Sequence, residues 1–226
     1  MPAAGTSSAG ATRWSTDVQD LLNALRPFPV TAGLLVCSLL GFSVVYFNAP
    51  VSWVAALTFT PFELTAAGPV FGEPGAQLWR LVTPAFLHFG WLHIAFNALW
   101  TWEFGRRIEA RAGSLSTLGL FLAVAMVSNV AQYLFGGPGL FGGMSGVVYG
   151  FLGFAVVGER INPRWALGLP PGVVVFMLGW LVACVLGVVE VLGFGAIANA
   201  AHIGGLAAGA VLAVPLAFLE RYRRRL

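Results

Sequence analysis

Phe135-Gly-Gly-Pro-Gly-Leu-Phe-Gly-Gly-Met144 runs directly into Ser145-Gly-Val-Val-Tyr-Gly-Phe-Leu-Gly-Phe-Ala-Val-Val-Gly158, and Glu159-Arg160 closes the apolar stretch. The second part is a helix candidate of fourteen residues, about 21 Å long at 1.5 Å per residue, whereas a bilayer's hydrocarbon core is about 30 Å thick. A span that short has to begin below one membrane surface. The first part holds too much glycine and proline for a helix, yet it has to carry the chain down to that depth. Non-helical backbone is tolerated there only where protein buries it or where it lines a wet cavity. The segment therefore predicts a water-filled hollow with Ser145 at its floor, beside the positive end of a helix dipole.

The rest of the chain agrees with a life in lipid. Of 226 residues, 58% are hydrophobic and 9% charged, and the mean hydropathy is +0.83, more apolar surface than a water-soluble domain can hide. Apolar runs predict helices near 29–47, 91–108, 115–135, 145–158, 171–192 and 200–219. The expected architecture is an all-α polytopic bundle of six spans with a short central fourth span. The stretch 48–90, rich in Pro, Gly, Phe and Trp, is expected to rest in the headgroup layer as a long first outer loop. The expected organisation is an N-terminal segment 1–28, a membrane domain 29–220 and a basic tail 221–226. Residues 1–27 lack the basic start, apolar core and small-residue cleavage site of a signal peptide, so the first span is expected to be retained.

Charge sets the topology. All twelve basic residues are arginines. Arg13, Arg26, Arg106, Arg107, Arg111, Arg160, Arg164 and the C-terminal Arg221, Arg223, Arg224 and Arg225 fall on one side of the predicted spans, and Arg80 falls opposite. The positive-inside rule then puts both termini in the cytoplasm. This distribution speaks against nucleic acid as a partner. Cys37 and Cys184 sit inside apolar runs, where a thiol packs as a small hydrophobe, and no redox, metal or cofactor role is expected of them.

With this orientation the second, fourth and sixth spans begin on the same side, and His88, His93, Ser145 and His202 lie near those starts. Gly205 and Gly209, one turn apart, form a small-residue stripe opposite Gly146, Gly150 and Gly153, and such stripes let two helices touch backbones. That contact would bring the Ser145 hydroxyl and the His202 ring within hydrogen-bond reach, the requirement for an activated serine. No Asp or Glu lies near either residue, so a dyad is predicted and not a triad. His93 and Asn97, spaced i, i+4, face the same way and offer an imidazole and an amide to an oxyanion, joined by the N–H groups of Met144 and Ser145. Tyr149, one turn along from Ser145, is placed to stack on or bond to the His202 ring. A small transporter also breaks its helices at polar groups, but the charges here cluster at the span ends and no inverted repeat of the hydropathy pattern is present.

These residues resemble the rhomboid intramembrane serine proteases across roughly 29–220. Gly143-Met144-Ser145-Gly146 looks like the family's GxSG motif with Tyr149 after it, and Ala201-His202 with Gly205 and Gly209 resembles its AHxxGxxxG motif. His93-Ile-Ala-Phe-Asn97 is similar to the HxxxN element credited with the oxyanion hole, and His88 stands where the family often has a further histidine near the cavity mouth. Trp79-Arg80 resembles the WR pair of the first outer loop, and Glu109 and Arg111 fall where the family has an acidic and a basic residue at the inner end of the second span. The resemblance implies a serine endopeptidase of the plasma membrane, a bacterial one on the arginine-, alanine- and glycine-rich usage, with transmembrane proteins as substrates and membrane lipids as surroundings. It further implies that substrates pass the fifth span, with Phe176 and Trp180 on the gate side. A client-binding relative without catalysis is the alternative, and such proteins usually lack the serine or the histidine that are both present here.

Overall fold

The computed structural model describes residues 19, 20 and 22–223, the side chains of 194 and 219–223 excepted. Arg13 and most of the predicted N-terminal segment lie outside the described residues, as do Arg224 and Arg225 and the side chains of Arg221 and Arg223. The fold is carried by the helices α1 (Pro29–Tyr46), α2 (Val51–Leu57), α3 (Trp91–Ala112), α4 (Ser114–Gly136), α5 (Ser145–Ile161), α6 (Val173–Val185) and α7 (Asn199–Arg223). By length and composition α1, α4 and the Asn199–Phe218 part of α7 are apolar enough to cross a membrane. Leu40, Leu115, Val175 and Val211 point outward and exposed, as side chains facing lipid do.

Helix α5 is the centre. Every residue of 146–155 is buried, so this helix is covered on all its faces, the condition under which a helix is apolar all round. Helices α3, α4 and α7 pack on it, and Phe104, Val124, Phe151, Leu152 and Phe154 fill the space between. On the α7 side there is room only for backbone. A Cβ on Gly205 would run into the Gly146 carbonyl, one on Gly209 into the Gly150 carbonyl, and one on Gly153 into the Leu206 carbonyl. Helix α4 closes the third side, where Ser128 Oγ donates to Ala201 O at 3.0 Å and Ala201 N donates to Gln132 Oε1 at 3.1 Å.

The charged end of the bundle is tied together by side chains that satisfy backbone. The buried Glu109 carboxylate on α3 accepts from Val30 N (2.9 Å), Thr31 N (2.8 Å), Thr31 Oγ1 (2.7 Å) and Ser114 Oγ (2.7 Å). An anion at the first N–H groups of α1 meets both the unpaired donors and the positive end of the helix dipole. Arg107 Nη1 donates to Leu167 O and Gly168 O, at 3.0 and 2.7 Å, and Arg111 donates to Arg164 O at 3.0 Å while lying over the Trp165 ring.

Two expectations need correcting. The expected all-α architecture has an exception in the outer stretch 48–90: besides α2 and two 3-10 turns (Leu78–Leu81 and Thr83–Phe86) it contains an antiparallel hairpin of β1 (Phe62–Thr65) and β2 (Gly68–Phe71), with Phe62 opposite Phe71. Thr65 Oγ1 donates to Gly68 O at 2.8 Å and closes the turn. The fifth apolar run, 171–192, is also not one helix. α6 stops at Val185, and Gly187 at φ +74 and Gly193 at φ +86 turn the chain through a short π-helical segment, Glu190–Phe194. Left-handed backbone at a glycine ends a helix without any change in hydropathy, so the apolar run read through it. The fourth run begins at Ser145 and continues three residues further than its apolar stretch, to Ile161, giving 17 residues, about 25 Å of helix.

If backbone contact holds α5 to α7, Gly209→Val will destabilise the fold by about 2 kcal/mol or more, read as denaturant unfolding in mixed micelles. Gly33→Ala, where nothing lies within 4 Å of the added Cβ, will stay within about 0.5 kcal/mol of the parent.

Candidate active site

The chain reaches the start of α5 through Gly142 and Gly143, laid against the two 3-10 turns. Gly143 N donates to Pro84 O at 3.0 Å. Gly143 has φ +108, and a Cβ there would sit 2.5 Å from His93 Nε2, so both its conformation and its neighbour require glycine. Ser145 is the first residue of α5, and its backbone N–H belongs to the first turn, whose donors have no partner within the helix. Ser145 lies at the wall of a cavity of about 720 Å³, together with His93, Asn97, Gln132, Tyr149, Cys184 and His202.

His202 Nε2 stands 2.8 Å from Ser145 Oγ. The imidazole is 5% exposed and comes from α7 at the level where Gly205 meets Gly146, so the glycine contact sets this distance. The Tyr149 ring lies 4.9 Å from the His202 ring, centroid to centroid. The two rings are tilted by 41°, and the Tyr149 hydroxyl donates to Met177 O on α6 at 3.0 Å and not to the imidazole.

On α3, Asn97 Nδ2 donates to His93 O at 2.8 Å, which orients the amide, and the same nitrogen would lie 3.6 Å from a Cβ on Gly143. The Phe89 N–H faces His93 Nδ1 at 3.5 Å, an arrangement suited to the tautomer that carries its proton on Nε2, toward Gly143. His88 departs from its expected place near the cavity mouth. It is fully buried, with Nδ1 3.0 Å from Phe86 O and Nε2 facing Met144 N at 3.4 Å. A carbonyl only accepts, so Nδ1 carries the proton and Nε2 receives the Met144 N–H. The Met144 N–H, expected among the oxyanion donors, is thus directed at His88, and the Ser145 N–H lies in the first turn of α5.

Arg80 is buried in the outer loop and donates through Nη1 to Ala55 O (2.5 Å) and Thr58 O (2.7 Å). Trp79 Nε1 donates to Ala56 O at 3.1 Å. Both hold the end of α2 and stand apart from the cavity. Phe176 and Trp180 of α6 line it and stack on each other, and they face Trp100 and Phe96 of α3. Two polar residues near the dyad went unread in the sequence. Gln132 is an amide inside an apolar run, itself a sign of an interhelical bond. Asn199 precedes His202 by three residues, the spacing that puts two side chains on one helix face.

Residues 75–218 match the Rhomboid domain. This chain belongs to the rhomboid family. Over 137 residues, 61% of this chain, it is 47% identical to the rhomboid protease GlpG of Serratia proteamaculans (strain 568). Over 148 residues, 65% of this chain, it is 44% identical to the proteins of the same name from Yersinia pseudotuberculosis serotype I (strain IP32953) and Yersinia pestis (strain Pestoides F). These matches span 48% and 51% of the relatives, so the chain covers about half the length of the curated proteins it resembles. Family membership and the long apolar helices make it a multi-pass membrane protein.

His88→Ala will leave the Met144 N–H without its partner and will destabilise the rhomboid fold by about 1–3 kcal/mol. Thermal unfolding in detergent checks it; an unchanged midpoint would remove His88 as the support of the α5 terminus.

Proposed function

We propose that this rhomboid is an intramembrane serine endopeptidase that cleaves transmembrane proteins through a Ser145–His202 dyad, with no metal or cofactor. The observation that carries the reading is the 2.8 Å contact between Ser145 Oγ and His202 Nε2 on the wall of a cavity that also holds polar groups suited to an oxyanion. A serine beside a neutral imidazole acceptor is the arrangement nucleophilic catalysis needs.

In this mechanism Ser145 Oγ attacks the scissile carbonyl carbon while its proton passes to His202 Nε2. The carbonyl electrons move onto oxygen, and the Ser145 N–H, the Asn97 amide and the His93 Nε2–H stabilise the resulting oxyanion. Collapse of the tetrahedral intermediate breaks the C–N bond, and the proton on Nε2 goes to the leaving amine. The acyl-enzyme left on Ser145 is hydrolysed by a water whose proton returns to Nε2, and expulsion of the serine oxygen recovers that proton and frees the carboxylic acid product. Tyr149 keeps the imidazole face in place through both halves. Substrates reach the dyad between α3 and α6, past Phe176 and Trp180.

The same reading makes α1, α3, α4, α5, α6 and α7 the six spans of a membrane domain over 29–220, flanked by cytoplasmic segments 1–28 and 221–226, in a bacterial inner membrane. The arginine pattern supports it. So does the gathering of Arg106, Arg107, Arg111 and Arg164 at the end of the bundle away from the cavity.

The test is cleavage of a single-span substrate by purified protein in liposomes, with fluorophosphonate labelling in parallel. Ser145→Ala and His202→Ala will each abolish cleavage, and Ser145→Ala will abolish labelling, in a protein that still folds. Cleavage that survives Ser145→Ala would end the serine mechanism. Asn97→Ala will lower the rate by about 10- to 100-fold; an unchanged rate would exclude its amide from the oxyanion site.

A further inference from the structure

His202 has a second ring nitrogen, and nothing in the dyad accounts for it. With Nε2 accepting from Ser145, Nδ1 carries the proton. Nδ1 is buried and finds no hydrogen-bond partner among the described residues. One other polar atom nearby is in the same position: Asn199 Oδ1, buried and likewise unpartnered. Asn199 lies three residues before His202 at the start of α7, which puts both side chains on one face. The amide is oriented by its other end, because Asn199 Nδ2 donates to Cys184 O of α6 at 3.2 Å. A carbonyl accepts only from a donor, so the nitrogen faces Cys184 and the oxygen faces away from it.

A buried N–H donor and a buried carbonyl acceptor on adjacent turns are complementary, yet they do not bond to each other directly. A single water placed between them would satisfy both, accepting from Nδ1–H and donating to Oδ1. We propose that Asn199, through one bound water, is the positioning residue of His202: it holds the imidazole in the Nδ1–H tautomer and stabilises the imidazolium formed when Ser145 gives up its proton. A neutral amide and a water then stand where a serine triad places a carboxylate. This rests on the protease reading above and adds to it a third, uncharged member.

Two variants separate this role from a mere tether to α6. Asn199→Leu keeps the bulk and removes both the acceptor and the donor. Asn199→Asp keeps an acceptor oxygen, loses the donor to Cys184 O, and places an anion at a helix start, where it is tolerated. The proposal expects Asn199→Leu to lower kcat and the rate of fluorophosphonate labelling by about 10- to 100-fold, with KM within about twofold. Asn199→Asp will recover most of that loss. If Asn199→Leu is labelled at the parental rate, or if both variants are slowed alike, Asn199 only ties α7 to α6 and the proposal is overturned. Should Asn199→Leu fail to fold, nitrogen-15 spectra of the histidine-labelled parent protein decide: His202 Nδ1 will carry a proton in contact with a bound water, and an unprotonated Nδ1 overturns the proposal. Labelling of the parent that persists in Ser145→Ala would bring down the protease reading itself. Ser145-dependent labelling indifferent to Asn199 would bring down this inference alone.

Discussion

Everything near the cavity depends on two helices touching without side chains between them. Where α5 and α7 cross, a Cβ on Gly153, Gly205 or Gly209 would run into the backbone of the other helix, while one on Gly146 or Gly150 would first meet Ser128 or Val124 of α4. In lipid, apolar side chains gain nothing by leaving their surroundings, and close van der Waals contact is what holds helices together. A methyl group at Gly153, Gly205 or Gly209 would push the two axes apart. Because Ser145 lies one residue before Gly146 and His202 three before Gly205, such a shift would be passed to the Ser145–His202 distance, and a hydrogen bond lengthened beyond about 3.5 Å is lost. The helix crossing and the Ser145–His202 distance are set here by the same contact.

The backbone around the site is irregular, and each irregular stretch has a named polar anchor. Arg80 satisfies the carbonyls at the end of α2, His88 joins Phe86 O to Met144 N, and Pro84 O receives Gly143 N. Asn129 Nδ2 reaches across from α4 to Leu81 O at 2.9 Å. Backbone groups left unpaired at membrane depth cost several kcal/mol each, so these anchors are what let a non-helical chain descend beside α5. At the opposite end Glu109 does the same for α1. Helix α6 is held differently, through its aromatic face and through Tyr149 and Asn199, which bond to its carbonyls at Met177 and Cys184. Tyr149, against the His202 ring, and Asn199, three residues before His202, therefore also hold the helix that borders the cavity.

Much was legible in the sequence because the bilayer imposes simple rules. An apolar run too short to span, entered through glycines, marked the start of α5 at Ser145. Glycines four residues apart on two helices announced a close crossing. The residues singled out at 93, 97, 145, 149 and 202 all lie around one cavity. Hydropathy failed where the determinant was a dihedral angle, since the left-handed glycines at 187 and 193 cut the fifth run short, and the hairpin at 62–71 has strands of only four residues, too short for a period to stand out.

What the sequence determined by itself was therefore periodicity, length and charge order, each a property of residues close along the chain. The tertiary structure alone decided which hydrogen bonds the polar groups make. His88 is buried behind Met144 because the 3-10 turns fold over it, the Tyr149 hydroxyl goes to α6 and not to His202, and the Asn199 amide is turned so that its nitrogen meets the Cys184 carbonyl and its oxygen points away. Each of these depends on the direction of a donor or acceptor relative to an element many residues away, and a linear pattern of residue types carries no such direction.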